Sequence, residues 1–317
     1  MGRDLYQSSP AARRVLDLAD ATLGFPLTQL LFEGPAETLQ LTINAQPAIV
    51  AVSLAALAAF RETWEQARGA PAPLPAFVAG HSVGEYAALV ASGAAGEATG
   101  LRLVRERAKL MHEAGQARPG SMVAVLGLDR ETVARVCHQA RVQVDGSYVD
   151  IANHNAPTQV TIAGDQAGLA VASRLCLEAG ARRCVPLSVS AAFHSAAMAP
   201  AAEPLARAVV AAEIGDAQVP LVANVDARPV TAAGDLRREL AQQVARPVLW
   251  ADSIQFMIDQ GVRVFLEFGA GSVLTNLLQR LGRDLAAMAV GDAAAARAAV
   301  DWLARSMLPA PSGRRGG

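Results

Sequence analysis

Residues 80 to 84 read Gly-His-Ser-Val-Gly and stand between an apolar run and a helix-forming stretch. The run Ala76–Ala79 predicts a strand and Glu85–Val90 predicts a helix, so Ser82 is expected at the apex of a sharp strand-to-helix turn. Glycines on both sides of the serine suit a strained turn whose neighbours pass close together. A serine so placed can attack a carbonyl carbon, and the Val83 N–H at the positive end of the helix is expected to face the resulting oxyanion. The alternative is a glycine-lined turn whose serine only caps the helix.

Composition excludes several classes of protein. The chain has 317 residues and a formal net charge of −1, with its arginines and lysines dispersed, so nothing favours nucleic acid as a partner. The length suits one large domain and a smaller one. Cys137, Cys176 and Cys184 are odd in number and lack metal-ligand spacing, which favours buried thiols in a reducing compartment.

No segment of the sequence indicates a membrane anchor or a secretion signal. The most apolar stretch, Pro47–Phe60, is shorter than a bilayer span and predicts a buried helix. Charged residues such as Arg3 and Asp4 interrupt the N-terminal region, where a signal peptide would be apolar. We therefore expect a cytoplasmic protein that does not bind membranes.

Residues 121–188 differ in pattern from the rest of the chain. They predict the order strand, helix, strand, strand, helix, strand, which is typical of a ferredoxin-like unit. The predicted elements are Met122–Leu126, Arg130–Ala140, Val149–Ala152, Gln159–Ala163, Gln166–Ala179 and Cys184–Leu187, with a turn at residues 155–157.

The flanking regions alternate strand-like runs with long helical segments. The runs are Ala76–Ala79, Leu221–Asn224 and Val264–Phe268. This alternation predicts an α/β fold with a mostly parallel sheet and helices on both faces. The predicted organisation is a large domain, residues 1–120 and 189–308, interrupted by a small domain, residues 121–188, and followed by a disordered Pro- and Gly-rich tail, residues 309–317.

An arginine lies in the middle of the apolar face of a predicted helix, Glu97–Ala114. At 100° per residue, Arg107 shares that face with Leu103, Val104 and Met111. A buried guanidinium is costly without a partner, so it is expected to meet a carboxylate. The partner is either an internal acid or an acidic group on a ligand, bound through two hydrogen bonds.

Five histidines compete for the role of a base beside Ser82. His81 adjoins the serine, so its side chain is expected to point away, and His154 is placed in a turn of the small domain. His194 lies where the chain returns to the large domain, at the edge of an interdomain cleft, where ligand sites are common. No histidine follows His194. Ordinary α/β-hydrolases carry a late histidine after an acidic residue, so that class is disfavoured.

Taken in order, these motifs resemble the malonyl-CoA:acyl carrier protein transacylases nearly end to end, to about residue 305. The matching segments are Gly80–Glu85, Arg102–Arg107, Asn153 and Asn155, Ala192–Ser195 with Met198 and Pro200, Asn224–Asp226, Gln243 before Pro247, and Phe268–Gly271.

The resemblance implies a two-domain, hydrolase-like α/β fold and a role for each site residue. Ser82 would be the nucleophile, His194 the base and Arg107 the clamp for the malonyl carboxylate. The backbone carbonyl of Gln243, rather than an acidic side chain, would orient the histidine. Malonyl-CoA would be the substrate and acyl carrier protein the partner of a monomeric enzyme with no cofactor. Phe193 resembles the version of its turn that favours malonyl over methylmalonyl.

The sequence also departs from the family, which leaves alternatives open. Family members begin with a strand and a Phe-Pro-Gly-Gln-Gly-Ser-Gln loop that helps to form the oxyanion hole, and Met1–Leu5 resembles the segment after that loop. A core strand and one oxyanion donor are therefore expected to be missing from this sequence, either because the start is assigned too late or because the enzyme is truly shortened. The rival interpretations are a serine thioesterase or esterase, which has no need of Arg107, and an inactive scaffold that binds carrier protein. Fatty-acid, polyketide and malonate metabolism all use this chemistry.

Overall fold

The computed structural model describes residues 1–189, 191–282 and 284–307. The predicted tail, residues 309–317, lies outside the described residues. The first 117 residues are helical around the turn at Ser82. Their helices are α1 Arg3–Ser8, α2 Pro10–Leu23, α3 Leu27–Glu33, α4 Ala36–Gln40, α5 Thr42–Arg68, α6 Gly84–Ala91 and α7 Glu97–Ala117.

The middle of the chain alternates strands and helices as the sequence predicts. The elements are β1 Ser121–Leu126, α8 Arg130–Gln143, β2 Val149–Ala156, β3 Gln159–Gly164, α9 Gln166–Glu178 and β4 Arg183–Pro186. The strands form one antiparallel sheet in the order β2-β3-β1-β4, with Val123 opposite Ile162 and Ala124 opposite Val185.

The two helices of this unit share a small core with the sheet. The side chains of Asp129 and Asp165 cap the helix N-termini by accepting backbone N–H bonds. Buried residues of both helices, including Cys137 and Cys176, pack with sheet residues such as Val125 and Ile162. Burial raises the pKa of each of these two thiols to about 12, so they are chemically quiet.

One prediction for this unit is wrong. Asn153, His154 and Asn155 belong to β2 and not to a turn. The segment stays extended because it is bonded on both sides: β3 pairs with one edge, and the His154 N–H donates to the Val248 carbonyl over 2.9 Å on the other. Two register shifts in β2 accommodate this double pairing.

The last third of the chain follows the antiparallel sheet and packs with the N-terminal helices. It contains a 3-10 turn at Ala196–Met198, then α10 Ala199–Ala211, β5 Leu221–Val222, β6 Pro229–Val230, α11 Ala233–Gln243, α12 Trp250–Asp259, β7 Val264–Phe268, α13 Val273–Leu278, β8 Ala286–Val290 and α14 Ala293–Ser306.

The parallel sheet predicted for the large part is only partly present in the described residues. Strands β7 and β8 pair in parallel, but β5 and β6 pair antiparallel. The predicted strand at Ala76–Ala79 is reduced to a single parallel bridge between Val78 and Leu221. Proline at 75 and 220 and the turn at Gly80 leave room for little regular pairing, since proline cannot donate to a ladder.

The core of the large part forms around α5. The apolar stretch expected to be too short for a membrane span belongs to this helix of 27 residues, which is longer than predicted. By length and composition alone, the helix is able to cross a membrane. However, 61% of its most apolar window is buried inside the fold. It packs against α2, α7 and α14, with Val50, Val52 and Leu54 among its buried residues. We therefore interpret it as the central core helix.

Candidate active site

Ser82 occupies a strained turn at the start of α6. Its φ is +51°, in the left-handed region that residues other than glycine rarely adopt. A Cβ on Gly80 would lie 2.0 Å from the Gly84 carbonyl carbon, which explains the glycine at position 80. A Cβ on Gly84 would meet nothing within 4 Å, so the argument from close approach does not hold for Gly84.

The Val83 N–H belongs to the end of the helix that bears partial positive charge. Val83 is the N-cap residue of α6, so its N–H has no acceptor inside the helix. Its predicted role toward an oxyanion stays a prediction.

His194 contacts Ser82 directly. It follows β4 and is 3% exposed, and its Nε2 lies 2.7 Å from Ser82 Oγ. Its Nδ1 lies 3.0 Å from the Gln243 carbonyl and 3.1 Å from the Arg246 carbonyl. Because both carbonyls only accept, Nδ1 carries the proton and Nε2 is left to accept the serine O–H. This is the tautomer that a general base requires.

Electrostatics keep the His194 ring neutral. Burial, together with the positive charge of Arg107, lowers its pKa from 6.5 to about 3. The backbone at His194 is also left-handed, with φ +57°. Among the described residues other than glycine, only Ser82, His194 and Ala227 have a positive φ. Strain of this kind is commonly found at functional sites.

Arg107 on α7 completes the group and is 1% exposed. Its guanidinium donates to Gln46 Oε1 at 2.5 Å, to Gln243 Oε1 at 2.8 Å and to Ser82 Oγ at 3.0 Å. Its Nε has no hydrogen-bond partner among the described residues. In the part of the chain that the structure describes, Arg107 forms no salt bridge. The nearby buried acid Glu85 reaches the guanidinium only through Gln243, which hydrogen-bonds to both side chains. The interpretation of Arg107 as half of an internal ion pair stays open.

Gln243, at the end of α11, contacts every member of this group. Its backbone carbonyl accepts from His194 as expected, while its side-chain Oε1 accepts from Arg107. Its Nε2 donates to the Ser82 carbonyl at 2.7 Å. The family resemblance implied only the backbone role.

Three further residues of the site were missed. Gln46 Oε1 accepts a hydrogen bond from Arg107, and the Arg246 carbonyl accepts one from His194. Asn224 Oδ1 accepts the Ser82 N–H at 2.7 Å. Gln46 gave a usable signal, because a glutamine at the edge of the most apolar stretch is expected to face a buried polar partner. Arg246 acts through its backbone carbonyl, which leaves no signal in the residue type.

Two of the competing histidines have other partners. His81 Nε2 lies 2.8 Å from Asn155 Oδ1, and its ring packs edge-on against Trp250. This agrees with the expected packing role of His81. His154 Nδ1 lies 2.7 Å from Asp252 Oδ2. The described residues also contain no cluster of three His, Cys, Asp or Glu side chains that could hold a metal ion.

Comparison with known proteins places this geometry in a family. The model for the acyl transferase domain matches residues 1–302. The chain is 43% identical over 292 residues to the malonyl CoA-acyl carrier protein transacylase of Bacillus subtilis, covering 92% of this chain and 89% of that one.

Solved structures give the same result. The acyl-carrier-protein S-malonyltransferase of Burkholderia pseudomallei superposes with a TM-score of 0.85 at 37% identity, covering 93% of each chain. A malonyl-transacylase in complex with a type II PKS acyl-carrier protein superposes with a TM-score of 0.87 at 38% identity, covering 95% of this chain and 94% of that one. The α/β fold and the resemblance stated from the motifs are thereby confirmed, and this chain belongs to the acyl transferase domain family.

Proposed function

We propose that this protein transfers a malonyl group from malonyl-CoA to the phosphopantetheine thiol of an acyl carrier protein, through a malonyl ester on Ser82. One observation carries the choice of acyl group. The buried Arg107 guanidinium lies 3.0 Å from Ser82 Oγ and has no carboxylate partner among the described residues. Because an unpaired buried cation is costly, the site favours an acyl group that brings its own carboxylate.

The malonyl group has the required shape. A single methylene separates its thioester carbon from its carboxylate, so attack by Ser82 Oγ leaves the carboxylate beside Arg107. Two guanidinium N–H groups of Arg107 can then donate parallel hydrogen bonds to the carboxylate, one of them in place of the present bond to Ser82 Oγ. An acetyl group has no carboxylate to accept hydrogen bonds from Arg107, so the buried cation stays unpaired. The site therefore disfavours acetyl as a substrate group.

Ser82, His194 and Val83 supply the covalent chemistry. His194 Nε2 takes the hydroxyl proton as Ser82 Oγ bonds to the thioester carbon, and the Val83 N–H stabilises the tetrahedral oxyanion. When the C–S bond breaks, the departing CoA thiolate receives that proton from His194. The carrier protein thiol then gives its proton to His194 and attacks the malonyl ester, and Ser82 Oγ regains a proton as it leaves. No cofactor is needed in this scheme.

A basic cavity supports a phosphate-bearing donor. Arg182, Arg183 and Arg280 line a cavity of about 500 Å³ at the end of β2, the strand that carries Asn155. Guanidinium groups bind phosphates well, and coenzyme A and phosphopantetheine both carry them. The solved malonyl-transacylase complex that this chain resembles has an acyl-carrier protein as its partner.

We further propose that the fold divides as its motifs predict. Residues 121–188 would be a ferredoxin-like domain inserted into a hydrolase-like large domain formed by residues 1–120 and 189–308. The strand order β2-β3-β1-β4 with two helices supports the small unit. Its contacts with the large part, such as His81 with Asn155, lie next to Ser82.

Mass spectrometry of the protein mixed with malonyl-CoA tests the proposal. We expect a malonyl adduct on the peptide that contains Ser82, absent in Ser82→Ala, and its loss on addition of a phosphopantetheinylated carrier protein, which gains the group. Release of free CoA and malonate without an adduct would indicate a hydrolase. Neither adduct nor release would indicate a binding scaffold, and either result would refute the transferase.

A further inference from the structure

A buried carboxyl group that the proposed mechanism does not use lies beside the Ser82 turn. Glu85, in the first turn of α6, is fully buried. Its Oε1 accepts from the backbone N–H and the side-chain Nδ2 of Asn224, both at 2.9 Å. Its Oε2 accepts from Gln243 Nε2 at 2.6 Å. Burying an acid is costly unless it is well bonded, so such a group needs an explanation.

The two amides that Glu85 binds are the two that hold Ser82. Asn224 Oδ1 accepts the Ser82 N–H, and Gln243 Nε2 donates to the Ser82 carbonyl, each at 2.7 Å. Both backbone polar groups of Ser82 are therefore fixed by side chains. A residue at φ +51° keeps this conformation only if its surroundings enforce it.

Glu85 also determines which way the Gln243 amide faces. An amide presents a donor at one end and an acceptor at the other. The carboxyl oxygen of Glu85 accepts on one side, and the Arg107 guanidinium can only donate on the other. Gln243 Oε1 must therefore face Arg107, which holds the guanidinium beside Ser82.

We propose that Glu85 is a positioning residue for the acyl transfer proposed above. By orienting the amides of Asn224 and Gln243, it fixes the strained Ser82 turn and keeps the Arg107 guanidinium beside Ser82 Oγ. It touches neither the acyl group nor the reacting atoms. The inference rests on the proposed function for the identity of the acyl group only.

Glu85→Gln is the sharpest variant. A glutamine at 85 has to place its NH₂ group against a donor of Asn224 or of Gln243, so it repels one of the two amides that hold Ser82. Displacement of the Gln243 amide also shifts the acceptor of Arg107. We expect the rate of Ser82 acylation by malonyl-CoA to fall about tenfold to a hundredfold, as for a buried donor left without an acceptor. The malonyl-to-acetyl rate ratio should fall as well, because Arg107 loses its alignment.

Glu239→Gln is the matched control. Glu239 is 6% exposed and hydrogen-bonds to Glu85, so it shares the buried surroundings of Glu85, but in the described residues it bonds neither the Gln243 side chain nor Ser82. Its Oε1 accepts the Val225 N–H. A glutamine keeps that acceptor and donates to Glu85. We expect its acylation rate and rate ratio to stay within about twofold of the unaltered protein. Equal losses in both variants, or an unchanged malonyl-to-acetyl ratio in Glu85→Gln, would mean that Glu85 is merely structural.

Two further measurements keep the proposal testable. If Glu85→Gln does not fold, Glu85→Asp keeps the carboxyl group but is too short to reach both amides, and the same losses are expected. A fluorophosphonate probe that labels Ser82 reports the reactivity of the serine without malonyl-CoA. If the unaltered protein forms no malonyl adduct, the proposed function is wrong, while slower labelling of Glu85→Gln than of Glu239→Gln still supports the role of Glu85. Equal labelling rates would overturn it.

Discussion

The Arg107 guanidinium donates a hydrogen bond to the Ser82 hydroxyl oxygen over 3.0 Å. A buried cation thus contacts the atom proposed to carry the acyl group. Its charge, added to burial, keeps the neighbouring His194 ring neutral. The same charge would bind a carboxylate on the acyl group, so one residue serves both the base and the selection of substrate.

Replacing Arg107 with alanine should lower the rate of malonyl transfer much more than the rate of acetyl transfer. Loss of two charge-assisted hydrogen bonds should lower kcat/KM for malonyl-CoA by roughly 10²-fold or more. Transfer from acetyl-CoA should fall little or rise, because no bond to that group is lost. Parallel steady-state kinetics with the two donors measure the difference. Arg102→Ala, an exposed arginine on the same helix, is the control and should change neither rate. Equal losses for both donors in Arg107→Ala would contradict the clamp.

The assignment of the base can be tested against another histidine at the same turn. His194→Ala should slow acylation of Ser82 by roughly 10²-fold or more, as expected for loss of a general base. His81→Ala removes the contacts of its ring with Asn155 and Trp250, not a contact with Ser82 Oγ, and should cost much less. Single-turnover acylation, with circular dichroism to verify folding, is the measurement. A larger loss in His81→Ala than in His194→Ala would show that the wrong histidine was chosen.

The parts of the site that could be predicted are those with a local pattern. The glycine spacing around Ser82 predicts the turn, and the helical period places Arg107 on a buried face. The position of His194, after the last strand of the small sheet, predicts its approach to Ser82. Each inference needed only neighbouring residues or the order of the elements.

The parts that were missed depend on contacts between distant segments. Gln46 lies 61 positions before Arg107, and Asn224 lies 142 positions after Ser82. No periodicity connects such residues. Glu85 was visible in the motif but indicated only a helix former. The parallel sheet was overestimated because short apolar runs such as Ala76–Ala79 predict a strand without showing how much of it can pair.

The pH dependence of acylation should reflect the lowered pKa of His194. Because that pKa is about 3, the base remains unprotonated well below pH 6.5, and kcat/KM should not fall near pH 6.5. Removing the positive charge in Arg107→Ala should raise the pKa, so the acid limb should move to higher pH. Acetyl-CoA serves as the donor in this comparison, since Arg107→Ala is expected to retain transfer from it.

Loss of folded-state stability at low pH limits the pH range over which these acylation rates can be measured. A histidine with a lowered folded-state pKa stabilises the fold above its unfolded value of 6.5, and this contribution is lost as pH falls toward 3. Circular dichroism at each pH therefore accompanies the rates. An acid limb near pH 6.5 in the folded, unaltered protein, or no shift in Arg107→Ala, would contradict this electrostatic account.

The buried acids beside the Ser82 turn should make stability fall as pH rises. Burial raises the pKa of Glu239 from 4.5 to about 7, so between these values the folded state binds more protons than the unfolded state. Its contribution is fully present below pH 4.5 and is lost as pH rises through 7, at a cost of about 3 kcal/mol. Glu239→Gln removes that titration. We expect its free energy of unfolding in urea to exceed that of the unaltered protein by an amount that grows from pH 5 to pH 8. Glu203→Gln, exposed on α10, should show no such growth. A difference between Glu239→Gln and the unaltered protein that stays constant with pH would mean that Glu239 does not hold a proton in the folded state.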